Sequence, residues 1–192
     1  MFMKCRYFLT FIFTAVFIIS CHNNKDKRVT MNVLENIVGK TLYYSDSLSL
    51  RLMGDSISDF GNLNRNTVKI VSYTTSFLCT ECNLGILEKW KKMIEEIISD
   101  FGNKVDFVFI FDQRKKDEAE LTKLLKEFYF DHPVYYDLEG YFMKQNVFIP
   151  PNPLYHTFLT DTDNKIILVG NPLQGRSVKN LYINTIKNMF SQ

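Results

Sequence analysis

The sequence predicts an α/β fold: a mixed central sheet with helices on both faces, closed by a C-terminal β-hairpin and a last helix. Three observations predict it. From residue 67 onward, apolar runs of strand length alternate with stretches of helical period, the pattern of a largely parallel sheet. Late in the chain, "YHTFLTD" and "KIILVGN" flank the polar turn "TDN", a hairpin signal. The helix-period segment "RSVKNLYINTIKNMF" then ends the pattern.

Taken in order, residues 67–73, "TVKIVSY", read as a buried strand by length and β-branching. Residues 80–100 read as a helix, with Leu84, Leu87, Trp90, Met93 or Ile94, and Ile97 along one side and Gly102 as its stop. "KVDFVFIFD" is a second apolar strand. "DEAELTKLLKEFYF" opens on acids and spaces Leu121, Leu124, Leu125 and Phe128 helically. "PVYYD" is a short third strand, "EGYFMKQN" a short helix, and the prolines of "PPNP" break the chain before the hairpin. Before this core, residues 31–66 mix a short amphipathic piece, a strand expected around 41–44, and the turn-rich residues 54–66. They are expected to pack as an N-terminal extension on the main domain, residues 67–192.

At 192 residues, with 46% hydrophobic content and 17 Phe and 10 Tyr, the chain suits one domain with an aromatic-rich core. Its first residues explain its charge. Lys4 and Arg6 precede the apolar run of residues 8–20, a secretory-signal layout too short for a comfortable membrane span. These two bases account for the whole formal net charge of +2, so the remainder is neutral and no nucleic-acid partner is implied. Ile18-Ile19-Ser20-Cys21 resembles a bacterial lipobox, which makes residues 1–20 a signal peptide and Cys21 the lipid attachment site. Residues 21–30 are polar and unpatterned, a tether between lipid and domain. His22, rather than an aspartate, follows Cys21; by analogy with lipoprotein sorting this favours the outer membrane, facing the periplasm.

Of four cysteines, Cys5 leaves with the signal and Cys21 takes lipid, so Cys79 and Cys82 remain as thiols in a compartment where disulfides persist. Residues three apart on a helix share a face, and at a first turn two such thiols can close a disulfide. The first turn also offers unpaired N–H groups and the positive end of the helix dipole, which favour the nucleophilic thiolate. Cys79, at the turn, is therefore assigned the attack on a substrate disulfide, and Cys82 the resolution of the mixed disulfide. Glu81 between them disfavours thiolate and tunes the pair toward a reducing couple.

A cysteine pair at the end of a buried strand, then a long helix, a Pro-preceded hairpin and a final helix, resembles the thioredoxin fold over residues 67–190. The extra helix ahead of the hairpin, the N-terminal section and the anchor resemble the envelope thiol–disulfide oxidoreductases of the TlpA/ResA kind. That resemblance implies protein disulfide substrates, a membrane electron donor and no organic cofactor. It also brings departures. Phe77-Leu78 stands where the family has tryptophan, and no proline lies between the cysteines. Aligning "TFLTD" on the family's hairpin strand puts Tyr155 at the place of the cis-proline, with Pro153, two residues earlier, as the candidate for that role.

Other readings use the same residues. A structural clip across so short a loop constrains the unfolded chain little. Zinc needs about four ligands, and His22, His132 and His156 show no paired spacing. Ser76-Phe77-Leu78-Cys79 resembles a peroxiredoxin motif, but Ser72 stands where that family has proline. Two alternatives remain. One is a non-catalytic thioredoxin-like binding lipoprotein. The other, by resemblance to the SCO-like copper-handling proteins, makes Cys79, Cys82 and His156 the metal ligands, soft thiolates plus imidazole.

Overall fold

The computed structural model describes residues 28, 30–57, 63, 66–75, 80–112 and 118–191, with backbone alone for 80–84. The signal-like run, Cys21 and the tether as far as residue 27 lie outside the described residues. The chain divides into two units, Met1–Asn36 and Ile37–Gln192. Helix α1, residues 30–37, spans the boundary between them. Its Asn36 amide donates to the Asn32 carbonyl at 2.9 Å.

The second unit is a seven-stranded sheet. In chain order its elements are β1 (Ser49–Leu52), β2 (Asp55–Ser56), β3 (Val68–Thr74), α2 (Thr80–Phe101), β4 (Val105–Asp112) and α3 (Glu118–Glu127). There follow β5 (Val134–Asp137), α4 (Tyr141–Gln145), β6 (Thr157–Thr160), β7 (Ile166–Val169) and α5 (Arg176–Phe190). The strand order is β2-β1-β5-β4-β3-β6-β7. β3, β4 and β5 run parallel, and the outer strands join antiparallel. This is the mixed α/β architecture the residue pattern predicts.

Alternation along the strands sorts side chains onto two unlike faces. One face is apolar: Val68 and Ile70 of β3, Phe107, Phe109 and Phe111 of β4, Val134 and Tyr136 of β5, and Leu159 of β6. α2 lays Leu87, Trp90, Met93, Ile94 and Ile97 on it, α3 adds Leu121, Leu124 and Leu125, and α5 adds Tyr182 and Ile186. Met93 and Ile94 are both buried, so the stripe of α2 is wider than a strict heptad seam. The Trp90 ring meets Phe109 edge-on at 5.2 Å.

The opposite face is partly polar. Lys69 of β3 is wholly buried, and its ammonium donates to the Thr67 carbonyl at 3.2 Å. Burial lowers the Lys69 pKa, while Asp106 and Asp161 raise it. The Thr67 hydroxyl donates to Asp106 at 2.5 Å. Further along β3, Tyr73 stacks on Phe142 of α4 with ring centres 5.0 Å apart.

The N-terminal part of this unit departs from expectation. Residues 41–44 form no strand; they make one bridge, Thr41 to Lys165. The strand is Ser49–Leu52, antiparallel to β5. The reason lies in how the backbone is satisfied: Leu42 N–H donates to the Asn164 carbonyl, while the Tyr43 N–H and C=O both bond the Asn146 side chain. A side-chain amide thus takes the place of a neighbouring strand.

The β1–β2 hairpin turns on Met53 and Gly54, both at positive φ, +47° and +91°. Such two-residue turns match the twist of the flanking strands. A Cβ at Gly54 would overlap the Thr122 side chain on α3. Gly54→Ala therefore combines strain with overpacking and is expected to destabilise the fold by about 2 kcal/mol. Chemical denaturation checks this; an unchanged midpoint contradicts the packing of this hairpin on α3.

Candidate functional site

The strand-to-helix junction that the cysteine motif demands is built by β3 and α2. β3 ends at Thr74 and α2 begins at Thr80. Cys82 is the third residue of α2 and so lies in its first turn, where backbone N–H groups have no intrahelical partner. Cys79 and Ser76 lie outside the described residues, as do the side chains of Glu81 and Cys82.

β6 lies beside β3 at this end of the sheet, in the register Ser72 to Thr157. The Tyr73 N–H donates to the His156 carbonyl at 2.9 Å, which carries the pairing one residue past β6. His156 is 2% exposed. Its Nε2 lies 2.9 Å from the Pro150 carbonyl. A carbonyl only accepts, so Nε2 carries the proton and Nδ1 is a bare lone pair. That Nδ1 is buried and has no hydrogen-bond partner. Burial pushes the His156 pKa below its ordinary value, against the opposing pull of the Pro150 bond. The imidazole stands edge-on to Tyr73 at 5.6 Å. It therefore lies on the partly polar face, whereas the core stripe of α2 packs on the other.

Pro153 is not a cis-proline. Among the described residues no peptide bond is cis. Pro153 instead opens a 3-10 turn, Pro153–Tyr155, where a fixed φ and a missing N–H suit the first position. The Asn152 side chain caps this turn by accepting from Leu154 N–H at 3.1 Å. Tyr155 N–H donates to the Asn152 carbonyl and His156 N–H to the Pro153 carbonyl. The bend ahead of β6 is thus made by a hydrogen-bonded turn.

Four polar residues around this end of the sheet also hold its backbone and side chains in place. The Tyr73 hydroxyl donates to Asp112, the last residue of β4, at 3.2 Å. Asp137, 1% exposed at the end of β5, accepts from the N–H groups of Tyr141 and Phe142 at 2.9 and 3.0 Å. Asn146 is fully buried. Its Nδ2 donates to the carbonyls of Tyr43 and Phe142, each at 2.8 Å, and its Oδ1 accepts from Tyr43 N–H at 2.9 Å. An aspartate that follows a strand and precedes a short helix is a readable cap; Asn146 and the Tyr73–Asp112 pair join distant residues and are not.

Among the described residues, no cluster of three His, Cys, Asp or Glu could hold a metal, and no helix is long and apolar enough to cross a membrane.

No family model matches the sequence, and no curated protein does. Solved structures do match in fold. A putative protein disulfide isomerase from Bacteroides thetaiotaomicron superposes with a TM-score of 0.56 at 14% identity, over 81% of this chain and 91% of that one. A putative thiol:disulfide interchange protein DsbE from Chlorobium tepidum gives 0.52 at 13% identity, over 76% and 96%. Yeast Sco1 with copper bound gives 0.52 at 16% identity, over 81% and 90%. The chain has the thioredoxin-like fold, and many of its structural neighbours are described as thiol–disulfide oxidoreductases.

Asn146→Ala would strand the Tyr43 N–H and C=O and leave a cavity. It is expected to cost about 2–4 kcal/mol, read as a fall in denaturation midpoint. A loss under about 0.5 kcal/mol contradicts the view that this amide anchors residues 43–44.

Proposed function

We propose that the protein is a lipid-anchored thiol–disulfide oxidoreductase of the bacterial envelope, reducing disulfides of protein substrates through Cys79 and Cys82. The observation that carries this reading is the place of Cys82, in the first turn of the helix that follows β3, an interior strand of a thioredoxin-like sheet. Cys79 precedes that helix by one residue. The helix N-terminus favours a thiolate there. In the proposed cycle the Cys79 thiolate attacks a client disulfide, releasing one client sulfur as thiolate. The Cys82 sulfur then attacks Cys79, gives up its proton, and releases the second client sulfur. The protein is left with a Cys79–Cys82 disulfide, which a membrane electron donor must reduce. Glu81, between the two cysteines in the sequence, works against thiolate and toward a reducing couple. Cys21 supplies the anchor, with the domain facing the periplasm and the outer membrane favoured.

Copper handling by Cys79, Cys82 and His156 is a second reading. The bare, buried Nδ1 of His156 favours it. The position of that ring, on the sheet face away from the α2 core stripe, stands against it.

Reduction of insulin disulfides by the dithiol form tests the exchange reading. Turnover is expected, lost in Cys79→Ser, with a reduction potential nearer about −270 mV than about −120 mV. A folded protein that gives no turnover overturns the enzymatic reading. A potential near the oxidising value overturns its direction. Copper(I) titration with and without His156→Ala serves as the control: a drop in affinity on substitution would favour copper handling.

A further inference from the structure

Away from the sulfur site, a groove of about 420 Å3 runs between α2 and the turn that joins α3 to β5. Lys91, Glu95, Ile98 and Ser99 line it from α2, and Asp131 and His132 from the turn. His132 stands edge-on to Phe130, ring centres 5.6 Å apart, with Nε2 3.9 Å from the Asp131 carboxylate. Lys91 donates across the groove to the Phe128 carbonyl at 3.3 Å. Glu88, one turn back on α2, offers the same ammonium a second partner at 4.0 Å.

The Lys91 bond reaches the cap of α3. There Phe130 N–H donates to the Leu125 carbonyl at 2.9 Å and Tyr129 N–H to the Lys126 carbonyl at 3.2 Å, a Schellman ending. Its left-handed position is filled by Tyr129 at φ +46°, where glycine is the residue without strain. The turn is thus a strained segment tied to α2 by a lysine that has an alternative partner.

We propose that His132 is an acid-responsive latch: once protonated, it turns the Lys91 ammonium away from the Phe128 carbonyl toward Glu88 and loosens the turn between α3 and β5. The groups facing His132 are Lys91 and Glu95 from α2, Asp131 from the turn itself, and the Phe130 ring. A neutral imidazole leaves Lys91 as the single cation in this set. An imidazolium places a second cation in the same groove, where it repels the Lys91 ammonium. Glu88, on the same helix as Lys91, offers the displaced ammonium a carboxylate. Burial lowers the His132 pKa; Asp131 raises it, Lys91 lowers it again and Glu95 raises it. The net direction is down, so the neutral form prevails near pH 7 and the change comes on acidification, below the ordinary value of about 6.5.

Hydrogen exchange of the Phe128, Tyr129 and Phe130 amides, measured on the full chain at pH 7.5 and 5.0 and corrected for intrinsic rates, tests the latch. Protection in the wild type is expected to fall about fivefold at the lower pH. In His132→Gln it should stay level. In Lys91→Met it should be low at both values. His132→Asn provides a second neutral variant should the first lose its fold. Equal falls in the wild type and the neutral variants, or no fall in the wild type, overturn the proposal.

Discussion

Strand β3 is clasped from both sides, and the site depends on that. It pairs parallel to β4 from Val68–Val105 through Thr74–Phe111, and antiparallel to β6 from Lys69–Thr160 to Ser72–Thr157. A strand buried on both edges and both faces cannot slip by one residue, because a slip would exchange its apolar and polar sets. Its end is therefore a fixed point. The helix that carries Cys82 starts six residues after Thr74, and the Tyr73 N–H holds the residue ahead of β6 in place.

The two faces of the sheet divide the work. The face under α2, α3 and α5 is packed aliphatic and aromatic carbon, and its burial is the main stabilising term. The other face holds Lys69, Asp106, Tyr73, Asp112, Asp137 and His156 in low solvent access. Buried polar groups cost free energy unless they are bonded, and most of these are: Thr67 to Asp106, Tyr73 to Asp112, and Asp137 to the first turn of α4. The Nδ1 of His156 is an exception. Its tautomer follows from the Pro150 bond, which leaves the buried Nδ1 as an unpartnered lone pair.

The parts of the fold that were readable are those where period and length agree. The closing helix runs over residues 176–190 as its pattern predicts. The three parallel strands match their apolar runs, and the β6–β7 turn is held by Asp161, whose carboxylate accepts from Asp163 and Lys165 N–H. Local pattern misleads where long-range bonds decide the backbone. Residues 41–44 have strand composition, yet Asn146, about a hundred residues away, takes their hydrogen bonds. Pro153 has the sequence neighbourhood of a cis-proline, while Asn152 beside it makes a capped 3-10 turn. Lys69 sits in a strand whose other residues are mostly apolar, and its burial depends on partners from β4 and the hairpin turn that no local pattern announces.

The thioredoxin-like sheet supplies a place where sulfur chemistry is physically favoured, and the sequence supplies two sulfurs for it. The proposed exchange assigns the attack to Cys79 and the resolution to Cys82. Trapping measures this division directly. The dithiol-derived Cys82→Ser variant, mixed with an oxidised protein substrate and resolved by non-reducing mass analysis, should accumulate a mixed disulfide through Cys79, and Cys79→Ser should not. No adduct in either variant, or equal adducts in both, would contradict the account.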